Sequence, residues 1–177
     1  MYIPKSFHTY YAQEAILAYL ETGRKFYLPD IDIPDELKIR QACFVSLYES
    51  NGRLRGCMGT IKPRYKWLYH DIVDNAIFAA FEDDRFVPLM EGELDDIVLK
   101  VETVSKPEKI RTLQDLDPDR FGIIVRSLQN AEGVLLPQCE GIHTIDEQVN
   151  LAMEKGSIPP AEKPNLEIFR FNIGAFH

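Results

Sequence analysis

One hairpin signal constrains this chain more than any other feature. Ala42 to Tyr48 and Arg53 to Thr60 are β-rich runs, and Glu49-Ser50-Asn51-Gly52 lies between them. Its Asn-Gly pair tolerates the positive φ angles that tight turns between antiparallel strands demand. The second arm carries Leu54-Arg55-Gly56-Cys57-Met58-Gly59-Thr60. Residues two apart on a pleated strand share a face, so Arg55 and Cys57 are expected to point the same way. Gly56 and Gly59 leave the backbone bare, which marks a bulge, a bend or the close approach of another group, and makes both candidate binding positions. A guanidinium beside a thiol favours the thiolate. Two readings stay open: a chemical site, or a small buried cysteine with Arg55 at the rim of a sheet. His70, near the start of the next helix, is the candidate base of the first reading and a solvent-facing helix residue in the second.

A pass along the remaining chain gives the fold class. Ser6 or Thr9 is placed to cap a helix running to about Leu20, with Gly23 as its stop. Leu28 to Pro34 holds two prolines and reads as an extended connection. Leu68, Ile72, Val73, Ala76, Ile77, Ala80 and Phe81 form one stripe, predicting a helix from about Trp67 to Phe81. Ile97 to Val104 alternates as a strand does. Gly122 to Leu128 and Gly133 to Gln138 read as a second hairpin, and Asp146 is the expected cap of a helix through about Lys155, ended by Gly156. Leu166 to Phe171 is a closing strand. Hairpins punctuated by helices, without a βαβαβ rhythm, indicate an α+β fold whose largely antiparallel sheet is built from hairpins with flanking helices. A length of 177 residues fits one domain.

Composition works by exclusion. The net charge of −8 argues against nucleic acid and against anionic membrane surfaces as partners. No apolar run approaches the roughly 20 residues that span a bilayer, and Met1-Tyr2-Ile3-Pro4-Lys5 lacks the apolar core of a signal peptide. Cys43, Cys57 and Cys139 are odd in number and not closely paired, so no disulfide framework is expected. The chain reads as a soluble cytoplasmic protein, with its oligomeric state open. It has no phosphate loop, dinucleotide fingerprint, H-E-x-x-H or G-x-S-x-G, and no cofactor is expected.

The remaining constellations are weaker. Cys139-Glu140-Gly141-Ile142-His143 has ligand types at a C-x3-H spacing that Cys57 could complete, but the paired C-x2-C elements of structural zinc sites are missing and no metal is expected. Glu82-Asp83-Asp84 and Glu91-Gly92-Glu93 read as solvated helix ends rather than paired catalytic carboxylates. In Asp84-Arg85-Phe86-Val87-Pro88-Leu89, Arg85 either braces the loop through local acids or lines a cleft. Arg64-Tyr65-Lys66-Trp67 reads as a surface loop anchored by Trp67.

Several stretches, in this order and over nearly the whole chain, carry a family resemblance: Cys43-Phe44-Val45-Ser46-Leu47, Gly52 to Thr60, Asp84 to Leu89 with Glu93-Leu94, Gly122-Ile123-Ile124-Val125, Gly133-Val134-Leu135-Leu136-Pro137-Gln138, and Ile168-Phe169-Arg170-Phe171. Together they resemble the AMMECR domain, whose prokaryotic members are called AmmeMemoRadiSam system protein A. The chain departs from that pattern at Met58, where isoleucine is usual, at Glu102, where a small hydroxyl residue is common, at Ile142, in place of a tryptophan, and at Cys139, in place of an aliphatic residue. The resemblance implies one AMMECR-like domain over residues 1–177, with two unequal lobes around a cleft near the Arg-Gly-Cys segment. It implies no established activity. The association of prokaryotic members with a Memo-type protein and a radical S-adenosylmethionine enzyme implies an accessory component that binds a ligand or partner, with Arg55 and Arg85 as recognition groups. The alternative is a thiol-dependent enzyme with Cys57 as nucleophile or covalent carrier, Arg55 as its electrostatic partner, and Arg85 and Gln138 as ligand contacts.

Overall fold

Ser6 opens the first helix as expected. Its backbone is extended (φ −145°, ψ 158°) and its hydroxyl accepts the Thr9 N–H at 3.3 Å, satisfying one of the donors a helix start leaves orphaned. This helix, α1 (Phe7–Thr22), ends at Gly23, whose left-handed φ of 65° lets its N–H close on the Tyr19 carbonyl. The computed structural model describes residues 3–177. After α1 come β1 (Ala42–Glu49), β2 (Leu54–Gly59), α2 (Leu68–Phe81), β3 (Ile97–Val104), β4 (Glu108–Lys109), β5 (Gly122–Arg126), β6 (Glu132–Leu135), α3 (Ile145–Lys155), β7 (Glu167–Phe171) and β8 (Ile173–Phe176), with short 3-10 turns between some of them.

The strands form two four-stranded antiparallel sheets, β2-β1-β3-β8 and β4-β7-β5-β6, in the α+β class expected. They belong to two compact units: one runs through Val104 and takes in Gly174–His177, the other is Ser105–Ile173. Strands β4 and β8 were not legible beforehand. The first is two exposed residues, Glu108 and Lys109, that become strand only through pairing with Arg170 and Phe169. The cap of α3 is Thr144, not Asp146. Thr144 is extended, its hydroxyl accepts the Glu147 N–H and the Glu147 carboxylate accepts the Thr144 N–H, a reciprocal capping box. Asp146 lies inside the first turn, where it pairs with Lys163.

In the first unit, one face of the β1–β3 pair (Cys43, Val45, Leu47, Leu99, Val101) packs under the α2 stripe of Leu68, Ile72, Val73, Ala76, Ile77 and Ala80 and under Ala12, Ala15 and Ile16 of α1. Each large aliphatic chain buried there contributes about 1.5–3 kcal/mol. The second unit has its own core, with Ile123, Val125 and Leu135 against Val149, Ala152 and Met153 of α3. No helix among the described residues is long and apolar enough to cross a membrane.

Candidate functional site around Cys57

The β1–β2 ladder places Ser46 opposite Cys57 and Leu47 opposite Gly56, but Tyr48 opposite Leu54. Arg55 is therefore an extra residue, a β-bulge. Strand alternation does not carry through a bulge, and the expected shared face of Arg55 and Cys57 is lost with it. Arg55 is only 6% exposed and grips Glu93 with two prongs, Nε to Oε1 at 2.7 Å and Nη2 to Oε2 at 3.1 Å. Glu93 also accepts the Met90 N–H at 2.9 Å, and the Arg55 contact holds its carboxyl below the usual range. Arg55 thus ties the bulge to the 3-10 turn Glu91–Asp96, and the acid expected at a solvated end is its partner.

A different arginine reaches the thiol strand. The loop after α2 brings Asp83 and Arg85 against the Cys57 backbone. Its N–H donates to Asp83 Oδ2 at 2.9 Å, and its carbonyl accepts from Arg85 Nη2 at 3.2 Å. Buried Asp83 in turn accepts from Arg85 Nε (2.9 Å), Nη2 (2.7 Å) and backbone N–H (3.2 Å). Arg85 beside it pulls the Asp83 carboxyl down to about 2, with the Cys57 N–H helping. Of the two roles open to Arg85, bracing is present, yet its side chain stays 56% exposed.

Cys57 Sγ lies on the face away from the helices, half-buried, and accepts a hydrogen bond from Ser46 Oγ at 3.2 Å. Burial pushes the thiol above its ordinary 9. The Ser46 hydroxyl and the Arg85 charge pull the other way without overcoming it, while Glu102 and Asp83 add to the rise. Cys43, fully buried under α2, is pushed up to about 12 by the same cause, against a hydrogen bond from Asn75. The surroundings of the site therefore favour the thiol rather than the thiolate that an adjacent Arg55 would have favoured.

Neither the two glycines nor His70 joins this cluster. Gly56 and Gly59 are approached closely by the protein itself: a Cβ at Gly56 would stand 2.1 Å from the Ala79 carbonyl oxygen, and one at Gly59 2.3 Å from the Phe44 ring, so the side-chain direction at each is filled by the protein. His70 is half-buried among the rings of Tyr27, Tyr65 and Tyr69, in the first turn of α2. Gly56 meets α2 at Ala79, nine residues on, which is about 14 Å along a helix axis and out of a base's reach. Gln138 is in the second unit, exposed, with a left-handed φ of 56° and its N–H on the Pro118 carbonyl (2.9 Å). Among the described residues no group of three or more His, Cys, Asp or Glu is gathered to hold a metal ion. Trp67 does anchor its loop, through Nε1 to Asp30 and Lys66 over its ring.

Two contributors escaped the sequence reading. Ser46 is set opposite Cys57 only by a register that the bulge shifts. Asp83 sits in an acidic run of the kind usually left to solvent. Its one signal is the Asp-x-Arg spacing, which puts carboxylate and guanidinium within one turn of chain.

Fold and site together define a small α+β protein of two antiparallel sheets, with a cysteine strand clamped by an Asp–Arg pair from a helix end. The chain belongs to the AMMECR1 family, whose model matches residues 9–176. A Thermotoga maritima protein is 42% identical over 164 residues, covering 92% of each chain. A longer Clostridium acetobutylicum protein is 37% identical over 159 residues, which is 89% of this chain and 33% of that one. Among solved structures, the crystal structure of an uncharacterised protein from Pyrococcus horikoshii superposes with a TM-score of 0.80 at 29% identity, covering 96% of this chain and 88% of that one.

Proposed function

We propose that the protein is a binding component rather than a thiol enzyme, working in the cytoplasm with a Memo-like protein and a radical S-adenosylmethionine enzyme. Its recognition group is Arg85. The observation that carries this reading is the contrast between the two arginines: Arg55 is consumed by Glu93, whereas Arg85 is fixed by Asp83 and still mostly exposed. A pre-oriented guanidinium suits a carboxylate or phosphate on a ligand or partner. The C. acetobutylicum relative supports a partnered role, since the matching region there shares its chain with other sequence. For the alternative, Cys57 as nucleophile, speak the Ser46 hydroxyl and the Arg85 charge, both of which stabilise a thiolate. Burial outweighs them, and His70 is not at hand.

Two measurements test the reading. Iodoacetamide should label Cys57 faster than Cys43, because it is less buried, with a pH midpoint above 9. A midpoint well below 9 would reverse the choice in favour of the enzyme. Arg85→Ala should abolish co-purification with the Memo-like protein from the same source while the fold persists. Unchanged capture by that variant removes Arg85 as the recognition group.

A further inference from the structure

A second site lies in the helical part of the first unit. There α1, the 26–28 segment and α2 enclose a cavity of about 250 Å³ whose wall includes Tyr10, Tyr11, Glu14, Phe26, Leu28 and Tyr69. Tyr10 and Tyr11 meet at 5.1 Å between ring centroids with their planes at 82°, and Tyr11 and Tyr69 at 5.3 Å and 85°. Each ring stands nearly perpendicular to the next, so the wall turns a corner twice, as the sides of a box do. Tyr69 is buried and held by the Leu28 N–H, which donates to its hydroxyl at 3.0 Å. Phe26, largely exposed, forms the rim.

The charge lining this box has one sign. Glu14 follows Tyr10 by four residues and Tyr11 by three, which puts it on their stripe of α1. No lysine or arginine lines the cavity. The Tyr11 hydroxyl is pushed above its ordinary value, first by burial and then by Tyr10, Glu14 and Asp32, so both carboxylates act on that wall. An anion would be repelled here, and a hard inorganic cation would find too few oxygen ligands. A neutral apolar molecule would gain nothing from Glu14. Ring faces attract positive charge, most strongly a weakly hydrated one, and the volume is below that of sites for drug-sized ligands.

We propose that this cavity binds a methylated ammonium group, with the tyrosines as walls and Glu14 as counter-charge. The same chemistry occurs on a free choline-like molecule and on a methylated lysine side chain.

Calorimetric titration of the full chain separates these sources and tests the site. The probes are choline, its neutral carbon isostere 3,3-dimethylbutanol, and a short peptide carrying trimethyllysine. At least one cation should bind, with the neutral isostere about tenfold weaker or more. Glu14→Gln should weaken binding about fivefold and Tyr10→Ala about tenfold. Both positions are exposed, so both variants should keep the wild-type unfolding midpoint. Tighter binding of the peptide assigns the site to a modified protein tail, and tighter binding of choline to a free molecule. Equal binding of the neutral isostere, full affinity in Glu14→Gln, or no heat from either cation at tens of millimolar overturns the proposal.

Discussion

The two units use one packing device and then diverge. In the first, α2 lies so low over the β1–β2 hairpin that Gly56 faces the Ala79 carbonyl. In the second, α3 lies as low over β5–β6, with a Cβ at Gly133 only 1.7 Å from the Ala152 carbonyl oxygen. In each unit the glycine is on the second arm and the helix residue is an alanine near the C-terminal end. Around Gly56, however, stand the Arg55 bulge with Glu93 and the Cys57 backbone with Asp83 and Arg85. Gly133 is followed by Val134 and Leu135, which are paired in the ladder to Ile124 and Ile123. Helix α2 also buries Asp71, Asp74 and Asn75, with Asp74 accepting from the hydroxyls of Tyr27 and Tyr65 at 2.6 Å each. At Gly56 and Gly133 the bare strand position therefore reports how near a helix passes. Charge alone does not distinguish a site, since Glu132 beside Gly133 pairs with Arg126; what sets the first position apart is the Asp83–Arg85 clamp on the neighbouring Cys57 backbone.

The parallel breaks if the two glycines respond differently. Gly133→Ala and Gly56→Ala should each cost about 3 kcal/mol in urea unfolding, because the clash is with backbone rather than with a side chain that can swing aside. A loss below about 1 kcal/mol at either position would show that its helix can lift. Next in size is Glu93→Ala, which strands the buried Arg55 guanidinium. Glu93 is partly exposed, so a loss of about 2 kcal/mol is expected, less than a fully buried pair would show.

Asp83→Asn tests the clamp through pH. In the folded chain the Asp83 carboxyl is at about 2, below its ordinary 3.8, so its stabilisation is full above about pH 4 and disappears as pH falls through 2. The variant should be less stable by about 2 kcal/mol at neutral pH, and the two curves of unfolding free energy against pH should converge near pH 2. Parallel curves would mean that the Arg85 contact does not set the acid limb. The smallest effect is expected at Gly92, where an added Cβ meets nothing within 4 Å. Gly92→Ala should raise stability by about 0.5 kcal/mol, since it restricts only the unfolded chain. A loss there would mean that glycine scanning cannot tell packing from chain stiffness.

Much of the fold was legible because it is encoded locally. The α2 stripe, the alternation of β3, the Asn51-Gly52 turn and the Ser6 and Gly23 caps all depend on residues a few positions apart. Strands β4 and β8 were not, since short or exposed segments become strands only when a neighbour supplies hydrogen bonds. The site divides in the same way. Cys57, Arg85 and the glycine approach were visible in the residue types, whereas the partners were not.

The sequence by itself determined the helices, the hairpins, the family and the presence of something unusual at Arg55-Gly56-Cys57. Only the tertiary structure decided which arginine meets the cysteine. One extra residue in β2 sends Arg55 to Glu93, and the loop after α2 delivers Arg85, with Asp83, to the Cys57 backbone in its place. The physical reason is that charge pairing is settled by distances between segments far apart along the chain, and a single bulge reverses any pairing inferred from strand periodicity.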